Sequence, residues 1–326
     1  MIEEIMANIF KIEIPLPNSP LQFVNSYVIK APDRNLIVDT GMNQEECMNV
    51  MKGGLSELGI DLKNTDLFIT HSHIDHLGLA SKLITGETTI YSSEPEAERF
   101  DHMVFGDLWG KMINFTYMNG FPEKELKEIL NHHPAELYGL KENLRFKFLE
   151  DDDTLGIGNY HFKCIKTPGH SKGHLCLYEP ERKILISGDH ILDGITPNIS
   201  LRSNTENPLR EYLMSLDKIY NLDIELVLPG HRNIFKKCKE RINELKWHHQ
   251  KRSEETTSFL EKAGMNAYQL ASLMSWEVDC DSWDSFPVMQ KWFAVGEVMA
   301  HLKYLEEIGV IQKEVSDQKV IYSLNS

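Results

Sequence analysis

The chain has 326 residues, of which 41% are hydrophobic and 25% charged, so it can bury a sizeable core and fits neither disorder nor a membrane protein. Its formal charge is −15, from 34 basic and 49 acidic residues, which disfavours non-specific binding to phosphate backbones. The five cysteines are odd in number and none stands in a CxxC spacing, which points away from a disulfide framework and toward a reducing, cytoplasmic setting.

In chain order, the opening "MIEEIMANIF" is acidic and lacks the features of a secretory leader, and no apolar run approaches the length of a membrane span. Strand patterns follow at Ile9–Ile14, Phe23–Ile29 and Asn35–Asp39, then a helix over about Gln44–Leu58. "DLFIT" reads as a buried strand delivering Thr70 and His71 to its end, and "ETTIYS" as another strand beyond a helix starting near His76. From Glu94 to Leu144 the texture turns helical, with Phe100, Met103, Trp109, Met112 and Phe121 among its large apolar residues. Strands return in "FKFLE", "HFKCIKT", "HLCLYE" and "KILISGD". Asn207 and Pro208 open a helix, and "ELVLPGH" is a strand ending at His231. That order predicts an α+β fold of two sheets with helices outside, not alternating βαβ units.

Beyond His231 the pattern is helical as far as Lys262. A helix capped by Asn266 follows, then one over about Val288–Ile308 that Gly309 stops, and last a hairpin around "SDQ". Helix, helix, helix, hairpin is the order of a winged helix. The expected division is a catalytic domain over 1–237, with a helical insert at about 94–144, and a winged-helix-like domain over 238–326.

The stretch "THSHIDHLG" carries His71, His73, Asp75 and His76 within six positions. His71 and His73 alternate along extended chain, so their rings project to one side. One tetrahedral cation takes three protein ligands and a water, so four donors in six residues exceed the need of one and suggest two. His170 in "TPGHSKGH", Asp189 in "SGDH" and His231 in "LPGH" each stand beside glycine at a strand end. Any of these three alone would ordinarily be a hydrogen-bonded surface or core residue. Three imidazoles crowded as in HxHxDH leave ring nitrogens that need partners.

"THSHIDHLG", "TPGHSKGHLCLY", "ISGDHIL" and "LPGH" resemble, in order, the motifs of the metallo-β-lactamase superfamily, and "NLIVDTGMN" resembles its early strand ending in an aspartate. The similarity covers roughly residues 8 to 235 and is nearest in flavour to glyoxalase-II-like hydrolases and the lactamase-like-protein-2 group, which adds a C-terminal winged helix. The resemblance implies an αββα sandwich with two cations at one edge. It places His71, His73 and His170 on the first, Asp75, His76 and His231 on the second, and Asp189 between them. It puts Asp39 behind a ligand. His174 and His190 stand close to ligands in sequence; a supporting hydrogen bond or simple exposure is the expectation for both, with shaping the pocket or donating a proton to a leaving group the other reading. Zinc, two ions per chain, is the implied cofactor, with iron or manganese accepted by such donors.

The resemblance further implies a hydrolase in which a metal-bound hydroxide attacks an acyl carbon, with Asp75 orienting the nucleophile or taking its proton. A thioester, ester or related small acyl compound is the expected substrate. The alternative is a ribonuclease or phosphodiesterase of the winged-helix-bearing relatives. Residues 241–326 hold 9 Lys or Arg against 13 Asp or Glu, a poor phosphate-tracking surface, so packing, homodimer formation or pocket closure is expected of that domain. Leu192 stands where the lactonase branch has a tyrosine, which disfavours lactone signals. A non-enzymatic module is the third reading, and the intact ligand set argues against it.

Overall fold

The computed structural model describes residues 2–17, 19–131, 144–278 and 280–325. The chain divides into two compact units: Met1–Phe105, Pro134–Pro197 and Ser215–Ile242 form the first, and Gly106–His133, Asn198–Met214 and Asn243–Ser326 the second.

The first unit is built on two sheets. One has seven strands in sequence order: β1 (Ile2–Met6), β2 (Ile9–Pro15), β3 (Phe23–Ile29), β4 (Asn35–Val38), β5 (Thr65–Phe68), β6 (Ile90–Ser92) and β7 (Phe146–Phe148). The other runs β12-β11-β10-β9-β8, with β8 Thr154–Ile157, β9 Tyr160–Lys166, β10 Leu175–Glu179, β11 Ile184–Gly188 and β12 Leu226–Pro229. Helices α1 (Glu45–Glu57), α2 (Ile74–Leu77), α3 (Ala80–Leu83) and α4 (Glu94–Val104) lie in the connections.

Strand alternation decides what each face buries. Leu36, Val38 and Phe68 face Phe162, Cys164, Leu175, Leu177, Ile184, Ile186 and Leu228 of the other sheet in one buried cluster. Ile37, Leu67 and Ile69 point the opposite way and pack with Cys47, Met51 and Leu55 of α1. Each such aliphatic side chain contributes roughly 1.5–3 kcal/mol by leaving water.

Three features differ from the sequence reading. The first sheet is mixed: β4, β5, β6 and β7 are parallel neighbours, so α1 and the short helices make crossover connections that the reading of two simple sheets had set aside. β1 was not expected, because its edge position leaves Glu3 and Glu4 exposed and blurs the alternation; Glu3 pairs with Lys11 across the ladder. β8 was also missed. It sits in a polar run and joins β9 through a two-residue turn, with Gly158 at φ +56° between the paired Ile157 and Tyr160.

The second unit is mostly helical, with α5 (Leu108–Met118), α6 (Glu123–Leu130), α9 (Ala267–Leu273) and α10 (Val288–Glu307), and parts of α7 (Pro208–Tyr220) and α8 (Cys238–Leu260). The Asn266 capping box with Gln269 is present, and Gly309 ends α10 at φ +76°. The hairpin β13 (Ile311–Ser316) and β14 (Lys319–Leu324) turns through Asp317 and Gln318, both left-handed. The insert's apolar residues pack here: Trp109 and Phe121 contact Trp292, Phe121 contacts Tyr268, and Lys291 pairs with Glu125 at 2.9 Å. Residues 132–143 of the expected insert lie outside the described residues.

All five cysteines are free, four of them buried. No helix among the described residues is long and apolar enough to cross a membrane.

Candidate metal centre

Strand ends deliver the site. The chain leaves β5 through Ile69 and Thr70, presents His71, Ser72 and His73, and enters α2 at Ile74 with Asp75 and His76 in its single turn. His170 comes from the loop between β9 and β10, Asp189 follows β11, and His231 follows β12.

The structure brings all seven donors together. Nε2 of His71 lies 2.9 Å from Nδ1 of His73, and Nε2 of His170 lies 3.3 and 3.0 Å from those two nitrogens. On the other side, Nε2 of His231 is 3.2 Å from Oδ2 of Asp75, and Nε2 of His76 is 3.8 Å from the same oxygen. Asp189 lies between the two groups. Its Oδ2 is 3.6 Å from His170 Nε2 and 3.5 Å from His231 Nε2, and its Oδ1 is 3.5 Å from His76 Nε2.

The supporting hydrogen bonds set which ring nitrogen faces inward. Asp39 accepts the Thr70 amide at 2.9 Å and the Thr70 hydroxyl at 2.8 Å, and its Oδ2 lies 2.7 Å from Nδ1 of His76. With its proton given to Asp39, the Thr70 hydroxyl accepts from Nδ1 of His71 at 3.0 Å. His231 donates from Nδ1 to the Phe23 carbonyl at 2.8 Å. Each of these three rings therefore turns Nε2 toward the cluster. His174 accepts the Asp189 amide at Nε2 (3.2 Å) and donates from Nδ1 to Thr167 Oγ1 (2.8 Å), so it orients the Asp189 loop from behind. His190 is fully buried, with its ring centroid 6.2 Å from that of His174.

Close backbone approach needs glycine at two points. A Cβ on Gly230 would stand 2.5 Å from Asp189 Oδ1 and 2.8 Å from His76 Cε1. Gly188, at φ +47°, would bring one to 2.7 Å from His174 Nε2.

Electrostatics follow from burial and the three carboxylates. Burial depresses His71 well below the ordinary imidazole range, and the His76, His73 and His170 rings add to the effect. Burial alone would lower His76 too, but Asp189, Asp39 and Asp75 outweigh it and hold His76 well above its usual value. Burial likewise works against the His231 cation, yet Asp189 and Asp75 raise that ring to about 10. Burial would raise both acids, but His231 and His76 pull Asp189 well below the carboxylate range, and His76 with His231 pulls Asp75 down. Burial keeps His174 neutral by pushing it well down and takes His190 down to about 3. The cluster thus calls for positive charge beside its carboxylates, and cations at Nε2 would meet that call in place of protons.

The donors fit divalent cations. Among the described residues, Nε2 of His76, Nε2 of His231 and Oδ1 of Asp189 are buried with no well-aligned hydrogen-bond partner, a costly arrangement for polar atoms aimed at one another. Among the described residues, three donor groups are tight enough to hold an ion: His71, His73 and His170; His71, His76 and Asp189; and Asp75, His76 and His231. Imidazole nitrogen with carboxylate oxygen suits zinc and also accepts iron or manganese.

Sequence reasoning missed three contributors. Buried Asn25 donates through Nδ2 to the carbonyls of Pro229 and Arg232, and the Tyr27 hydroxyl donates to Pro229, which fixes the loop carrying His231. Glu96, also buried, accepts from Ser72 and Gly173. Two polar residues together in an otherwise apolar strand, "FVNSYVI", was the available signal for Asn25; Glu96 reads as an ordinary first-turn acid of α4.

Residues 20–231 match the metallo-beta-lactamase superfamily. The chain is 25% identical over 299 residues to the beta-lactamase-like protein 2 homolog of Caenorhabditis elegans, across 90% of this chain and 81% of that one. It is 25% identical over 219 residues to the acyl-coenzyme A thioesterase MBLAC2 of Gallus gallus, across 65% of this chain and 73% of that one. The structure is similar to that of a beta-lactamase domain protein from Burkholderia ambifaria, with a TM-score of 0.87 and 25% identity, covering 99% of this chain and 94% of that one. The sandwich expected from the motifs is the fold found, and with this match along most of the chain it makes the protein a member of the metallo-beta-lactamase superfamily, a metal-dependent hydrolase.

Proposed function

We propose that the protein hydrolyses a thioester, or a related small acyl ester, with two zinc ions. His71, His73 and His170 would hold one, Asp75, His76 and His231 the other, and Asp189 would reach both. The observation that carries this reading is the position of Asp189, whose Oδ2 is 3.6 Å from His170 and 3.5 Å from His231 while Oδ1 faces His76. The acyl class is supported by similarity to a protein named as an acyl-coenzyme A thioesterase.

When bound, such ions supply hydroxide at neutral pH and polarise the scissile carbonyl. The chain's own residues do the rest. Asp75 is the most open of the three carboxylates, at 15% side-chain exposure against 9% for Asp189 and 2% for Asp39. Its carboxylate is the one placed to accept a hydrogen bond from the attacking water and so orient it; an acid held firmly by the second ion orients that water and does not act as a free base. Asp39, Thr70 and the Phe23 carbonyl fix the ring orientations, and His174 fixes the Asp189 backbone. His190, held neutral by burial, shapes the wall beside His174.

The C-terminal helices and hairpin form a winged-helix-like module serving packing or dimerisation. Lys291 is paired with Glu125 and Lys303 with Glu307, so the two lysines of α10 are already engaged by carboxylates, which counts against nucleic acid. Free cysteines support a reducing, cytoplasmic setting.

The test is a substrate panel on zinc-loaded protein: acyl-coenzyme A thioesters of graded chain length, aryl esters, lactones and single-stranded RNA, with His73→Ala as control. Thioester turnover lost in the control is expected. Turnover of RNA alone would overturn the acyl assignment, and full activity in His73→Ala would overturn the ligand set.

A further inference from the structure

Glu96 is 1% exposed and lies in the first turn of α4. Its Oε2 accepts the Ser72 amide at 2.8 Å and the Ser72 hydroxyl at 2.6 Å; its Oε1 accepts the Gly173 amide at 2.7 Å. One residue of the same helix entrance, Ser93, donates its hydroxyl to the Gly173 carbonyl at 2.6 Å. Gly173 is pressed so closely here that a Cβ would stand 2.2 Å from Ser93 Oγ and 3.0 Å from the Glu96 amide.

Ser72 lies between His71 and His73, and Gly173 lies three residues after His170. The three imidazoles that meet at 2.9–3.3 Å thus come from two loops that share one carboxylate. A buried carboxylate taking three donors is well anchored, and an acid in a helix's first turn also gains from the helix dipole.

We infer that Glu96 is a positioning residue that holds the His71–His73 loop and the His170 loop in register, so that their three nitrogens converge on one cation. The inference rests on the ligand assignment above. A carboxylate is required because all three partners donate; a glutamine would turn an N–H group toward one of the two backbone amides. Asp39, by contrast, touches His76 directly and His71 through Thr70, so the two acids share His71 but otherwise differ, Glu96 supporting the His73 and His170 side and Asp39 the His76 side.

The test strips the protein with a chelator and titrates it with Co²⁺, following visible absorption and competition with a chromophoric chelator. Wild type is expected to take two equivalents. Glu96→Gln is expected to weaken one equivalent 10–100-fold, the range for residues that orient metal ligands, and to leave the other near wild type. Asp39→Asn, measured in parallel, should weaken the other equivalent more. In Glu96→Gln, kcat should fall at limiting Co²⁺ with KM for the acyl substrate little changed, and should recover at excess Co²⁺. Unchanged binding in Glu96→Gln, or equal weakening of both equivalents, overturns the inference. If Glu96→Gln does not fold, Ser72→Ala removes one donor only, and should show a smaller loss at the same equivalent; unchanged binding there overturns it instead. A wild type that takes one equivalent would overturn the two-ion reading alone, and Glu96 would then be judged on whether that equivalent weakens.

Discussion

Asp39 and His76 meet at 2.7 Å, carboxylate Oδ2 to ring Nδ1, in a buried contact between the turn after β4 and the single turn of α2. The same carboxylate takes the amide and hydroxyl of Thr70, so one acid orients both the chain before His71 and the ring of His76. Asp39 sits at φ +57°, a conformation that asparagine also tolerates. Asp39→Asn should therefore keep the backbone and lose acceptors. The expected result is a 10–100-fold loss in metal affinity, read by chelator competition, with a matching loss of turnover at limiting zinc.

Gly230→Ala should damage the site from the backbone side. The new methyl would stand 2.5 Å from Asp189 Oδ1 and 2.8 Å from His76 Cε1, so those side chains must move. Overpacking of this kind costs about 1–3 kcal/mol. Urea unfolding should show that modest loss, while turnover falls far more than stability because Asp189 is displaced.

Removing metal should abolish hydrolysis and lower stability together. Ions held by the seven donors of one cluster bind the folded chain and not the unfolded one, so at a hundredfold excess over its dissociation constant each adds about 2.7 kcal/mol. Chelator-treated protein should unfold at lower urea, and added zinc should restore both the midpoint and activity. Activity that survives exhaustive chelation would refute the hydrolytic centre.

The second unit carries a pH dependence independent of the site. His249 and His301 are buried, with Nδ1 of His249 3.3 Å from Nε2 of His301. Burial pushes His249 down to about 4, and His248 and Arg252 nearby add to this against the opposing pull of Glu297. Burial pushes His301 well down too. A folded-state value below the unfolded 6.5 means that the unfolded chain binds more protons in between. Stability is therefore full above about pH 6.5 and is lost as pH falls toward 4. For His249 the loss amounts to roughly 3 kcal/mol. Unfolding of His249→Gln followed from pH 7 to pH 4 should show a shallower decline than wild type; parallel curves would contradict this.

Much of the site was legible as donors. HxHxDH, the two GH motifs and the SGDH aspartate could be marked in the sequence because glycine and strand-end context are local. The short, largely apolar strands Phe23–Ile29 and Leu175–Glu179, buried along nearly their whole length, and the Asn266 capping box were legible for the same reason. β1 and β8 were not: β1 is an edge strand with no fully buried position, and β8 alternates over only four residues, too short a run to stand out from the loop around it.

The sequence by itself determined which donors exist and in what order. Only the tertiary structure decided which nitrogens meet, that Asp189 stands between the two groups, and that Glu96 joins Ser72 to Gly173 from 24 and 77 residues away. It also decided that the helices of the insert from Gly106 pack with Trp292 and Tyr268. The reason is physical. Periodicity and capping depend on neighbours along the chain, whereas a shared carboxylate or a parallel strand pair depends on crossings that no local pattern encodes.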